Sequence, residues 1–312
     1  MKTLFLGTPA IAVPFLERLH QQTSIQSVIT NPDQPAGRGY EVKSSPVKEA
    51  ALRLGLPLLQ PEKAGEPGFQ NAVRQMSPDF GLAVAYGKLL PKSLLEIPKH
   101  GFLNVHFSLL PAYRGAAPIQ WALINGETKT GVTLFWLDEG MDTGPVFLQR
   151  ELPILPEDDA ESLREKLVAL GLDVLDEAIR ELSLGRQTAV PQAGPASKAP
   201  MLKKEDGRID WSRPAQAILN QLRGMTPWPG IYATVDQGGR SIRLKVLKGE
   251  RVQAGEEGPV GAVTRLDSGE GFVIKCNGGS LKVLHVQPEG KKSMSAWDFW
   301  QGARLKVGDH FR

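Results

Sequence analysis

The front half of the chain alternates short apolar runs with segments whose apolar residues fall at helical spacing, and this limits the fold more than any other feature. Lys2–Gly7 and Ile25–Thr30 have the length and residue types of buried strands, and Ile11–Gln21 between them is helical. Pro46–Leu54 reads as a helix with proline in its first turn, where a missing N–H costs nothing. Helical Phe69–Met76 leads into a short buried strand, Gly81–Ala85. A strand over Phe102–Phe107, a helix over Ala116–Asn125, strands over Gly131–Leu137 and Val146–Leu152 and a charged amphipathic helix over Asp159–Leu184 follow. This order predicts an α/β, Rossmann-like open sheet flanked by helices, with its chemistry at the carboxyl ends of the strands. The apolar run Met1–Gly7 has a passing likeness to a leader peptide, but Pro9 and the amphipathic stretch behind it make a first buried strand the expected reading.

The pattern then changes. Gln187–Asp206 carries three prolines among small and polar residues and has no period, so it reads as a linker between domains at 1–186 and 207–312. After a helical segment at Pro214–Arg223, five short runs near Ile231–Val235, Ile242–Lys248, Ala262–Leu266, Gly271–Cys276 and Leu281–Val286 are separated by glycine-rich turns. Short strands at this spacing predict a small OB-like β-barrel.

Charge divides the same way. Residues 207–312 hold sixteen Lys/Arg against ten Asp/Glu, so within a chain of net charge +3 the first 206 residues carry −3. An acidic front with a basic rear fits catalysis in one part and a polyanion contact in the other, although a solvated basic surface reads the same way. Lys203, Lys204, Arg240, Arg243, Lys245, Lys248, Lys291 and Lys292 are the candidate phosphate contacts. Trp211, Trp228, Trp297 and Trp300 are expected in a core or a domain interface rather than as base platforms. The single cysteine, Cys276, excludes an intrachain disulfide, and the five histidines sit at no metal-binding spacing, so no metal is expected. No apolar run is long enough to span a bilayer, and the expected setting is the cytoplasm, as a monomer.

The densest cluster of polar groups begins at the strand Phe102–Phe107. Alternation puts Asn104 and His106 on one face, near the carboxyl end. The tight turn Ser108-Leu109-Leu110-Pro111 follows and exposes backbone donors and acceptors. Asp142 lies between Gly140 and Gly144 in a constrained loop. Alone it is as readily a turn former; beside His106 it would orient the imidazole and take part in proton transfer. An amide donor for an oxyanion and an imidazole–carboxylate pair for proton traffic together suit acyl transfer to an amine. The loop Asn31–Gly39 places Arg38 between two glycines, where it could grip phosphate or be an ordinary surface residue.

Asn104-Val105-His106, the Ser108–Pro111 turn with Gly115, and Asp142 together resemble the signature of the 10-formyltetrahydrofolate-dependent formyltransferases. The resemblance implies that Asn104, His106 and Asp142 are catalytic. It implies that Ser108, Leu109, Leu110 and Pro111 line the folate site, with Tyr86 and Gly87 helping to form the pterin pocket. Gly115–Trp121 and Asp138–Gly144 resemble the branch of that family that formylates initiator methionyl-tRNA. For that branch the implied donor is 10-formyltetrahydrofolate, and Arg38 matches the arginine that reaches the acceptor end of the tRNA. Other branches, acting on amino sugars or glycinamide nucleotides or hydrolysing the folate, are the alternatives.

Overall fold

In a computed structural model, residues 1–36, 41–237, 239–252 and 257–312 are described. They divide into two compact units. One comprises Met1–Pro118, Lys129–Pro153 and Arg164–Pro200; the other comprises Ile119–Thr128, Ile154–Leu163 and Met201–Arg312.

The first unit is built on β1 (Lys2–Gly7), α1 (Val13–Gln22), β2 (Ser24–Ile29), β3 (Gln34–Ala36), β4 (Glu41–Lys43), α2 (Pro46–Arg53), β5 (Leu58–Leu59) and α3 (Pro67–Met76). It continues through β6 (Phe80–Val84), α4 (Lys92–Leu95), β7 (Phe102–His106), α5 (Pro118–Ile124), β8 (Lys129–Trp136), β9 (Val146–Pro153) and α6 (Ala160–Ser183), with α5 and the start of α6 crossing into the second unit. The sheet order is β5-β2-β1-β6-β7-β8-β9. β5, β2, β1, β6 and β7 run parallel, and β8 runs antiparallel to both its neighbours. Leu4, Phe5 and Leu6 of β1 are fully buried on both faces, as a strand covered by two helical layers must be. On one side Leu4, Leu6, Ile29 and Phe102 pack with Phe69, Val73 and Leu94 of α3 and α4. On the other, Phe15 of α1 meets Phe107 edge-on at 6.0 Å, and Arg18 pairs with Asp176 of α6. Each of these large apolar side chains contributes about 1.5–3 kcal/mol by leaving water.

The second unit holds α7 (Ala215–Met225), β10 (Ile231–Gln237), β11 (Arg240–Val252), β12 (Val263–Asp267), β13 (Gly271–Cys276), β14 (Gly279–Pro288), β15 (Met294–Ser295) and α8 (Ala296–Ala303). Its antiparallel order is β10-β11-β14-β13-β12, with β15 on β14. The last residues close this sheet on itself. Gly308 and Phe311 donate to Val263 and Gly261 beside β12, while Arg312 exchanges two 2.8 Å bonds with Thr234 of β10. The edges that would otherwise stay open are thereby joined into a small barrel. Phe311 seals the interior, stacked on Phe272 at 5.6 Å and against Trp211 at 6.4 Å.

The α/β alternation expected from the sequence is present, and so is the five-run barrel. The short elements β3, β4, β5, α4 and β15 and the helix α8 were not anticipated. No helix among the described residues is long and apolar enough to cross a membrane.

Candidate active site

β7 carries Asn104 and His106 two residues apart, so both side chains stand on one face, Cα atoms about 6–7 Å apart. Ala83 of β6 and Phe135 of β8 pair with Asn104, and Thr133 of β8 pairs with His106. His106 is only 5% exposed, while Asn104 is half-buried. Among the described residues the Asn104 carboxamide has no hydrogen-bond partner, so its donors are free for a ligand.

The imidazole is hydrogen-bonded at one nitrogen and faces a carboxylate with the other. Nε2 donates to the carbonyl oxygen of Tyr113 at 2.8 Å, since a carbonyl only accepts. Nδ1 faces Asp142 Oδ2 at 3.7 Å. Burial lowers the His106 pKa, opposed by the Asp142 carboxylate and the Tyr113 carbonyl, which both favour the proton. With Nε2 committed as a donor, Nδ1 and Oδ2 attract each other only when one proton lies between them.

Asp142 reaches this position by a route that strand order hides. The end of β8 pairs with Leu103, three residues before His106, so the loop leaves β8 about 10 Å from the imidazole and folds back along the sheet. Asp142 takes a left-handed φ of 53°, and its Oδ2 accepts from the Gly115 N–H at 2.8 Å. Gly144 makes the fold-back possible, because a Cβ there would lie 1.8 Å from the Trp136 carbonyl oxygen.

The Ser108–Pro111 turn is pinned from β8 and β9. Thr133 Oγ1 donates to the Ser108 carbonyl at 2.6 Å and accepts from the Leu110 N–H at 3.2 Å. Gln149 Nε2 donates to the Leu110 carbonyl at 3.1 Å. Ser108, Leu110 and Pro111 are buried and only Leu109 is partly exposed. The Ser108 hydroxyl is spent on the Ala112 carbonyl at 2.6 Å, and the carbonyls of Ser108, Leu109, Leu110 and Pro111 all accept hydrogen bonds within the protein, so the turn presents its shape and not the open backbone groups expected from the sequence.

Tyr86 and Gly87 follow β6, the neighbour of β7, but they make no hydrogen bond to the trio. Tyr86 is buried in the α3–α4 core with its phenol oxygen unpaired, and burial raises its pKa. Its carbonyl accepts from Asn31 Nδ2 at 3.0 Å, and the Asn31 Oδ1 is itself buried without a partner. At Gly87 itself a Cβ would meet nothing within 4 Å. Arg38 lies outside the described residues. Among those described, no group of three or more His, Cys, Asp or Glu is placed to hold a metal ion.

In the rear unit Trp211 is buried, as expected of a core residue, while Trp297 and Trp300 pack together at 4.6 Å and remain partly exposed. Trp228 is instead 53% exposed. Arg243 lies 3.6 Å over the Tyr232 ring.

Gln192, Arg114 and the Tyr113 carbonyl were not anticipated as parts of the site. Gln192 Nε2 donates to the carbonyls of Asp142 and Gly144, both at 2.9 Å. It sits in Gln187–Asp206, where Val190 bonds to Val146 of β9 and Gln192, Ser197 and Ala199 bond to the Asp142 loop and to residues 111–117. A periodicity argument has no means of finding such contacts.

Comparison with known proteins matches the formyl transferase family to residues 1–179 and the formyl transferase C-terminal domain to residues 201–304. The methionyl-tRNA formyltransferase of Geobacter metallireducens is 44% identical over 310 residues, covering 99% of this chain and 97% of that one. That of Myxococcus xanthus is 46% identical over 310 residues, covering 98% and 96%. Among solved structures the sugar 3N-formyl transferase WlaRD, crystallised in the presence of dTDP and 5-N-formyl-THF, shares the fold with a TM-score of 0.67. It is 19% identical and covers 94% of this chain and 99% of that one.

Proposed function

The chain belongs to the formyl transferase family, and we propose that it transfers the formyl group of 10-formyltetrahydrofolate to the α-amino group of methionine on initiator methionyl-tRNA. It is an enzyme of translation initiation, acting in the cytoplasm as a single chain. The observation that carries the chemistry is the unpaired Asn104 carboxamide on the same face as the His106–Asp142 pair.

The folate supplies an activated formyl carbon. Asn104 Nδ2 donates to the formyl oxygen as negative charge develops there, an interaction worth about 2.7–4 kcal/mol in comparable sites. His106, with Nε2 held by Tyr113, offers only Nδ1 to the reaction. The attacking amine must shed a proton and the leaving nitrogen must gain one. The Nδ1–Oδ2 pair accepts the first and returns the second, so the proton count balances without net release. An α-amino group ionises near pH 7.7–8.0, about one unit from neutrality, so a useful fraction is already free to attack. The Ser108–Pro111 turn and Tyr86-Gly87 seat the donor. Arg38 and the basic residues of the rear barrel hold the acceptor's phosphates.

The test offers the purified chain 10-formyltetrahydrofolate with charged initiator tRNA, free methionine, an amino sugar nucleotide or no acceptor. Formyl-methionine on the tRNA is expected. Equal transfer to the small amines, or formate release without an acceptor, would replace this reading with one of its sister activities.

A further inference from the structure

Resting on the assignment of Asp142 to the reaction, we propose that Gln192 and Arg114 form a positioning clamp that sets the Asp142 carboxylate against His106. Asp142 holds a left-handed backbone, uncommon for a residue with a Cβ though more accessible to Asp than to most, and its loop gains from a support that keeps it there. Gln192 supplies it. Its Nε2 bridges the carbonyls on both sides of Thr143, those of Asp142 and Gly144, each at 2.9 Å.

The orientation of that amide is fixed by Arg114. Nε and Nη2 of the guanidinium lie 3.2 and 2.6 Å from Gln192 Oε1. A guanidinium only donates, so the amide oxygen must face it and the NH2 group must face the two carbonyls. Arg114 also immediately precedes Gly115, whose N–H holds Asp142 Oδ2 at 2.8 Å. The backbone and the carboxylate of Asp142 are thus gripped from one closed ring that runs Asp142, Gly115, Arg114, Gln192 and back.

The ring is anchored on both flanks. Val190 exchanges bonds of 2.7 and 2.9 Å with Val146, which ends the Asp142 loop. Arg114 donates to the Ser197 carbonyl at 2.9 Å and accepts from the Ala199 N–H at 2.7 Å. At Gly115 a Cβ would stand 2.6 Å from the Ala199 carbonyl oxygen, so glycine is what lets the strap approach. Among the described residues Gln192 has no hydrogen bond to any of the three proposed reacting side chains; its bonds are to Arg114 and to main-chain carbonyls. It acts through the place it gives Asp142.

Gln192→Glu tests the clamp because it keeps the length and the Arg114 contact while turning the donor face into an acceptor opposite two carbonyls. Gln192→Met, which removes both functions, decides the matter if the glutamate variant does not fold. The expected result in either is a kcat lowered about 10–100-fold, the cost of a small misplacement, with KM for tRNA and folate little changed. The pH profile of kcat should move, and the Gly115 amide should exchange with solvent faster while amides of β8 keep their wild-type rates. Unchanged kcat, or lost kcat with Gly115 still protected, overturns the clamp. If the wild-type chain formylates nothing, the functional reading fails instead, and the exchange measurement still judges the clamp.

Discussion

His106 Nε2 lies 2.8 Å from the Tyr113 carbonyl oxygen, and that single contact decides which ring nitrogen is left free to titrate. A carbonyl accepts only, so Nε2 carries a proton in both charge states and Nδ1 alone titrates toward Asp142. Burial depresses the His106 pKa. Between the depressed folded value and the unfolded value near 6.5, the unfolded chain binds more protons at this site. The resulting stability is fully present above about pH 6.5 and is lost as pH falls through the folded pKa. Urea unfolding at pH 7.5 and pH 5 should therefore show a larger loss for the wild type than for His106→Gln. Parallel losses would mean that the buried imidazole is not the titrating group.

Asn104 separates activity from stability. Its carboxamide bonds to nothing among the described residues, so Asn104→Ala removes no fold-stabilising hydrogen bond and should leave the thermal midpoint within a few degrees. Turnover should fall about 10²–10³-fold, the usual cost of one oxyanion donor. Single-turnover formylation compared with the melting curve checks both halves, and a variant that melts early while turning over normally would reverse the assignment.

How much of this was readable in the sequence differs by element. The parallel strands were legible because burial on both faces makes each one a continuous apolar run, as in Leu4–Leu6 and Leu82–Val84. Asn104 and His106 were legible because strand alternation is a strict rule. β5 escaped because two residues, Leu58 and Leu59, show no period. The helix α8 did leave a signal: Ser295 Oγ accepts from the Asp298 N–H at 3.0 Å, a Ser-x-x-Asp cap visible in the sequence. The approach of Asp142 was hidden by the reversed β8, since a loop starting beside Leu103 has no reason in sequence to end beside His106. Tyr113 acts through a main-chain carbonyl, which no residue type advertises.

Gly144 shows what the fold-back costs in sequence freedom. A methyl group there would lie 1.8 Å from the Trp136 carbonyl, so Gly144→Ala forces the backbone of the Asp142 loop to move. Overpacking of this kind costs about 1–3 kcal/mol, and the displaced carboxylate should lower kcat as well. Urea midpoints and kcat measured together check it; a fully active, fully stable variant would show the loop to be freer than its contacts imply.

Cys276, in the second unit, gives a control on the barrel alone. It is fully buried in β13, and burial pushes its thiol up to about 11. A thiol this reluctant to ionise is inert to thiolate-specific reagents at pH 8. Native protein should therefore leave such a reagent unconsumed and react with one equivalent only in denaturant. Rapid labelling of the native chain would mean that the barrel opens on the labelling timescale.

Asp142→Asn isolates charge from geometry. The asparagine Oδ1 still accepts from the Gly115 N–H, so the loop keeps its anchor and the thermal midpoint should hold. The carboxylate that favours protonated His106 is gone, which leaves burial as the dominant influence and moves the imidazole pKa further down. The pair then lacks its proton acceptor, and turnover should drop by about 10²–10⁴-fold. Nuclear magnetic resonance titration of His106 in the two proteins reads the pKa directly. A pKa that rises, or turnover that survives, would place the base elsewhere and reduce Asp142 to the turn former that its loop first resembled.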